Sequence, residues 1–215
     1  MKKTYLWLLA ASLLLTACEL EIPNVPGMDS AMGKASQYYN RKMAARVINK
    51  ESSVILARAH AKRFKVELPL VLGVITQESA FNVTAVSHAG AQGLMQLMPS
   101  TVHHINHRSP VKVSSAFNPQ QNIAGGTWYL RSLYDQLKGF PEAQRWQLAL
   151  ASYNGGIGRV SAAVKRVSEK TGKPRHKVTF DDIKYSLPAE TRNYVPAVLR
   201  HTQNYSKYLR EKGMI

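Results

Sequence analysis

Between residues 68 and 134 the chain carries a single acidic side chain, Glu78. On a helix, the residues three, four and seven positions earlier share its face, and here they are Ile75, Val74 and Val71. Leu68, Leu70 and Leu72 make the same segment apolar nearly all round, the pattern of a buried helix. A carboxylate there is costly to ionise without a partner. Burial raises its pKa, and a carboxyl still protonated near neutral pH is what general acid catalysis needs. The competing reading is a helix-terminal Glu that points into solvent. Other groups with chemical potential follow: Tyr153 and Asn154 ahead of Gly155-Gly156, then Glu190 and Tyr194 in Glu190-Thr191-Arg192-Asn193-Tyr194-Val195.

His103, His104 and His107 raise the question of a metal, since residues 103 and 107 share a helix face. Zinc helices of the metalloprotease type place a Glu directly after the first His, and this chain has His104 there. No Asp, Glu or Cys nearby completes a ligand set. Surface or partly packed histidines are the expectation, with no metal and no organic cofactor.

The elements that must position these groups read as helices almost throughout. Ala35 to Asn49 and Ser52 to Phe64 are the first two, the second with Val54, Ile55, Arg58 and Ala61 near one face. Pro69 suits the first helical position of a segment reaching about Ala80. A loop rich in Asn, Ser and Gly follows from Asn82 to Gly93, then a short helix near Leu94 to Leu97 and another from Pro99 to about His107. Asn118-Pro119 is an N-cap followed by a proline at the first helical position, opening a helix that should run to Lys138 and end at Gly139. Pro141 to Tyr153, Gly158 to Lys170, Phe180 to Ser186 and Pro188 to Lys212 complete the set, with a break at Gly155-Gly156 and a kink expected at Pro196. No stretch alternates well enough for a strand. The class is all-α.

Four blocks in this order and spacing carry a resemblance. They are Glu78-Ser79-Ala80-Phe81-Asn82, Gly93-Leu94-Met95-Gln96-Leu97-Met98-Pro99, Ala151-Ser152-Tyr153-Asn154-Gly155-Gly156, and the segment from Glu190 to Val195. Together they resemble the lytic transglycosylase (SLT) domain related to goose-type lysozyme, over about residues 52–210. The one departure is Ser152, where the family often has Ala. The resemblance implies a lysozyme-like all-α fold with Glu78 as the acid/base. It implies that Ser87 contacts the N-acetyl or lactyl side of the muramic residue, that Gln96 and Met98 line the sugar groove, and that Tyr153 and Asn154 form the opposite wall. Glu190 is implied as a buried acidic partner and Tyr194 as a hydrogen-bond partner of Glu78. Met98 as plain core and Glu190 as a helix-terminal acid are the bland alternatives.

Glycosidases usually work with two carboxylates, about 5–5.5 Å apart for retention and about 6.5–9.5 Å for inversion. Asp135 and Glu142 have polar neighbours and match no family position, so the site offers one good candidate. The chemistry that the resemblance implies needs only one. Glu78 would protonate the oxygen between N-acetylmuramic acid and N-acetylglucosamine, the N-acetyl group would assist departure, and the resulting carboxylate would take the proton of the muramic C6 hydroxyl. That oxygen attacks C1 and closes a 1,6-anhydro ring. A nucleophile tethered in the same sugar has an effective molarity of up to about 10⁵ M or more in well-oriented cases, enough to compete with water. Two rival readings keep the same residues: a goose-lysozyme-like muramidase using water, and a non-catalytic peptidoglycan-binding lipoprotein.

The N-terminus reads as processing signal. Lys2 and Lys3 precede an apolar run from Tyr5 to Leu15, shorter than the roughly 20 residues a spanning helix needs and suited to a secretory signal. Leu15-Thr16-Ala17-Cys18 resembles a bacterial lipobox, so the expected division is a signal peptide over 1–17, a lipidated Cys18 and tether over 18–33, and a catalytic domain over 34–215. Cys18 is the only cysteine, which excludes internal disulfides. The tether, with Pro23, Pro26 and Gly27, could reach about 50 Å when extended. By the resemblance to enteric lipoproteins, Glu19 rather than Asp after the Cys implies sorting to the outer membrane, facing the periplasm. Loss of the two leading lysines lowers the formal charge from +16 to +14, an excess that favours anionic surroundings. The expected partners are peptidoglycan glycan strands and, through Cys18, a membrane; a secretion signal leaves no role for nucleic acid.

Overall fold

The computed structural model describes residues 50–215. The expected signal peptide, lipidated Cys18 and tether, and the helix expected over Ala35–Asn49, lie outside the described residues. Among the described residues the chain is helical, with no strand and two isolated bridges, Val86 to Gln92 and Gln92 to Leu97. The order is α1 (residues 50–64), α2 (Leu68–Ser79), α3 (Pro99–Arg108), α4 (Pro119–Gln136), α5 (Glu142–Gly155), α6 (Ile157–Thr171), α7 (Phe180–Ile183) and α8 (Ala189–Glu211).

Helix α2 is the axis of the core. Every residue from Leu68 to Ile75 is buried, as its apolar surface requires. Its principal partner is α8. A Cβ on Gly73 would lie 2.7 Å from Thr202 Oγ1 and 3.0 Å from the Val198 carbonyl oxygen. Only a bare backbone fits there, and the two helices close to that distance. Leu130 and Leu133 of α4, Leu148 and Leu150 of α5, Val160 of α6 and Ile183 of α7 join α2 and α8 in one apolar cluster. A smaller cluster of Leu97, Ile105, Val111, Val113 and Ala124 sits under α3 and the segment before α4.

Several helix starts follow from their residues. Pro99 and Pro119 open α3 and α4, and Asn118 Oδ1 accepts the Gln121 N–H at 3.0 Å. Helix α4 ends earlier than Gly139, because Leu137 leaves the helical path to be buried, its N–H bonding the Tyr134 carbonyl at 3.1 Å. Helix α8 continues unbroken across Pro196.

Two expectations fail. Ile55 of α1 is 70% exposed; the buried face carries Ser53, Ala57, His60 and Ala61 instead. Apolar side chains alone misplace that stripe because two of its members are polar. Residues Leu94–Leu97 are not helical. Gly93 and Gln96 both adopt positive φ, 76° and 47°, which a helix cannot hold, and the segment folds as a tight hairpin in which Gln92 and Leu97 exchange both backbone hydrogen bonds, at 3.1 and 2.9 Å.

Candidate active site

Glu78 is the penultimate residue of α2, at the end where the helix leaves the core. The chain then turns through two non-glycine residues in the left-handed region, Ala80 at φ 48° and Phe81 at φ 64°, a conformation that carries a cost for L-residues. The turn is held by the Ala80 N–H on the Thr76 carbonyl (3.0 Å), the Asn82 N–H on the Ser79 carbonyl (2.9 Å) and burial of the Phe81 ring.

Tyr194 of α8 faces Glu78 across the close α2–α8 packing, and its hydroxyl donates to Glu78 Oε1 at 2.6 Å. Burial raises the Glu78 pKa from 4.5 to about 7. The Tyr194 hydrogen bond opposes that rise by favouring the carboxylate, and the negative charge of Glu190 adds to it. The group is thus poised to hold or release a proton near neutrality. Burial, followed by the Glu78 charge, pushes both Tyr194 and Tyr153 well above the ordinary phenol range, so both remain neutral hydroxyl donors.

Tyr153, near the end of α5, donates its hydroxyl to the Met95 carbonyl at 2.8 Å and packs against the Tyr129 ring, centroids 5.6 Å apart. That joins α5 to the 92–97 hairpin. In the hairpin, Gln96 turns its amide nitrogen onto the Ala85 and Gly93 carbonyls at 3.1 and 2.9 Å, so it braces the loop. Met98, 36% exposed, stands at the N-cap of α3. Ser87 Oγ accepts the Ala91 N–H at 3.0 Å and shapes the turn around Gly90. Neither Ser87 nor Met98 makes a side-chain hydrogen bond to the other site residues. The structure directly joins Glu78 with Tyr194, Asn154 with Glu190, and Tyr153 with the hairpin that carries Gln96.

Asn154 bonds to α8 and keeps a second Nδ2 proton. Its Nδ2 donates to Glu190 Oε1 at 3.0 Å and its Oδ1 accepts from Thr191 Oγ1 at 2.7 Å. Glu190 itself is exposed in the first turn of α8, which corrects the expectation of a buried acid. A helix N-terminus favours an acid there without burial, and its charge acts on Glu78 from the surface. Ser152 is fully buried, its hydroxyl donating to the Leu148 carbonyl at 2.7 Å, so the extra oxygen relative to Ala is satisfied within α5.

Three contributors were not singled out from the sequence. Ser79 donates to the Leu94 carbonyl at 2.8 Å, Tyr129 supplies the ring against Tyr153, and Asn122 bonds the hairpin backbone. Ser79 lies inside the Glu78–Asn82 block; Tyr129 and Asn122 leave no local signal, since each works through residues distant in sequence. The three histidines do not converge. His103 and His107 stack at 4.0 Å, while His104 lies against Trp128 and Tyr129.

An acid on a buried helix, opposed by a tyrosine hydroxyl and flanked by a short hairpin, defines a lysozyme-like site in an all-α frame. The Transglycosylase SLT domain family matches residues 55–175, and the chain belongs to it. Among curated relatives, it is 34% identical over 166 residues to a membrane-bound lytic murein transglycosylase C of Actinobacillus pleuropneumoniae, covering 70% of this chain and 44% of the relative. It is 30% identical to a membrane-bound lytic murein transglycosylase F of Yersinia enterocolitica, covering 69% and 32%. The chain thus spans less than half the length of these relatives. Among solved structures it is similar to an inactive Glu-to-Gln mutant of the lytic transglycosylase Slt from Pseudomonas aeruginosa, with a TM-score of 0.61 and 32% identity over 73% of this chain and 24% of that one. A 70-kDa soluble lytic transglycosylase in complex with bulgecin A gives a TM-score of 0.57 and 27% identity, covering 72% and 24%.

Proposed function

We propose that the chain is a peptidoglycan lytic transglycosylase, with Glu78 as its one acid/base. It cleaves the β-1,4 bond between N-acetylmuramic acid and N-acetylglucosamine without water and leaves 1,6-anhydro ends. The observation that carries this reading is the Glu78 carboxyl, half-buried and titrating near 7 against the Tyr194 hydroxyl. Protonated, it gives its proton to the leaving glycosidic oxygen; ionised, it accepts the proton of the muramic C6 hydroxyl as that oxygen closes on C1. One proton enters the leaving group and one returns, so the site ends as it began. Tyr194 stays neutral throughout and stabilises the carboxylate half of the cycle. No cofactor is needed for either step.

Gln96, Met98 and Ser87 bind the glycan on the hairpin side and Tyr153 with Asn154 on the α5 side. Glu190 acts as a surface charge that keeps Glu78 from ionising early. The relatives' membrane-bound names support an envelope location. No helix among the described residues is long and apolar enough to cross a membrane, and acylation of Cys18 after removal of residues 1–17 supplies the attachment, on the periplasmic face of the outer membrane. Residues 18–33 serve as tether and 34–215 as the catalytic domain.

The test is digestion of purified sacculi followed by mass spectrometry of the released muropeptides. Anhydro-muramic ends support the proposal, reducing ends mean a muramidase, and no release with retained binding means a binding lipoprotein.

A further inference from the structure

Asn122 is 0% exposed, buried in the first turns of α4. A carboxamide in that position is costly unless its polar atoms are satisfied. Its oxygen accepts the Met95 N–H at 2.8 Å, and its nitrogen donates to the Gln92 carbonyl at 2.9 Å and the Ala116 carbonyl at 2.7 Å. Both donors are used and all three partners are backbone groups, which fixes the amide's orientation. The hairpin lies hard against it: a Cβ on Gly93 would sit 2.5 Å from Asn122 Nδ2 and 2.1 Å from the Ala116 oxygen.

What the hairpin carries leads to the acid. The Met95 carbonyl, in the same residue as the N–H that Asn122 holds, accepts the Tyr153 hydroxyl, and the Leu94 carbonyl accepts Ser79 Oγ beside Glu78. We infer that Asn122 is a positioning residue for catalysis: it touches no substrate, and by holding the hairpin at two backbone points, Met95 and Gln92, and tying it to the Ala116 carbonyl before α4, it sets where Tyr153 and Ser79 stand around Glu78. A residue that merely fills the core would affect stability alone. This inference rests on the catalytic reading above.

The first variant is Asn122→Ser, whose side chain is too short for the three contacts. The groups facing Glu78 are Tyr194 and Glu190 from α8 and Tyr153 from α5; all remain in the variant. With fold checked by circular dichroism, kcat for release of 1,6-anhydro products from soluble glycan strands should fall roughly 10- to 100-fold, the scale of a small misplacement at a reacting centre. The alkaline limb of the rate profile should move to lower pH as water reaches Glu78. Tyr153→Phe should cost less in the Asn122→Ser background than in the wild type, since both act on one link. A loss of thermal stability with kcat and the alkaline limb unchanged, or independent multiplication of the two effects, would overturn the inference. Should Asn122→Ser not fold, Asn122→Asp, which keeps the acceptor for Met95 and loses both donors, is held to the same criteria. In the wild type, the Met95 amide hydrogen should exchange as slowly as the α2 core; fast, loop-like exchange also refutes the clamp. A wild type that forms no anhydro ends would sink the catalytic reading, and the exchange measurement would still judge the clamp.

Discussion

Replacing Glu78 by Gln should stabilise the protein, and by an amount that depends on pH in a defined way. The folded carboxyl titrates near 7 against an ordinary 4.5. Between those values the unfolded chain has released its proton while the folded one keeps it, so wild-type stability falls as pH rises through the window, by about 1.4 kcal/mol per unit. The loss is nearly absent at pH 4 and reaches about 3 kcal/mol by pH 8.5. Gln has no proton to lose, and its carbonyl oxygen still accepts the Tyr194 hydroxyl. Urea unfolding of both proteins at pH 4 and pH 8.5 isolates this one group, because every other titration is common to the pair. The variant should be close to wild type at pH 4, more stable by about 3 kcal/mol at pH 8.5, and inactive on sacculi at both. A stability difference that does not change with pH would refute the burial of the carboxyl, and near-normal activity would remove it from the chemistry.

Tyr194→Phe removes the hydrogen bond that favours the Glu78 carboxylate, so its pKa should rise further and the alkaline limb of the rate profile should shift to higher pH, read from initial rates across pH 5–9. Gly73→Ala should destabilise by about 1–3 kcal/mol, because the nearest backbone obstacle, the Val198 carbonyl oxygen at 3.0 Å, cannot rotate away; chemical denaturation measures it. Cys18→Ser should move the protein from the membrane pellet to the soluble fraction while leaving purified-enzyme activity intact, as fractionation and a sacculus assay would record.

How far the sequence could be read depended on whether a residue's role was local. The starts of α3 and α4 were legible because proline and an Asn cap act within one turn. The burial of α2 was legible because eight successive residues have no polar face to spare. From that burial followed the raised pKa of Glu78. The Leu94–Leu97 hairpin was misread because its apolar run resembles a helix, while its course is decided by positive φ at Gly93 and Gln96 and by contacts with Ala85 and Asn122. The α1 stripe was misread for the converse reason: Ser53 and His60 are buried polar residues, whose location tertiary packing decides. Asn122 combines both difficulties, being polar, buried and bonded to segments six to thirty residues away.

Glu190 bears most directly on the choice between lyase and hydrolase. A second carboxylate serving as nucleophile or base must stand ionised beside the sugar with its oxygens free to act. Glu190 is exposed at the start of α8, and one oxygen is occupied by Asn154. Its negative charge raises the Glu78 pKa and so holds the proton there, which helps an acid and does nothing to activate water. Neutralising it by Glu190→Gln should therefore lower the Glu78 pKa and draw the alkaline limb of the rate profile down, while the products keep their anhydro ends. A switch to reducing ends, or complete loss of turnover in a folded variant, would instead make Glu190 a partner in bond cleavage and return the two-carboxylate scheme.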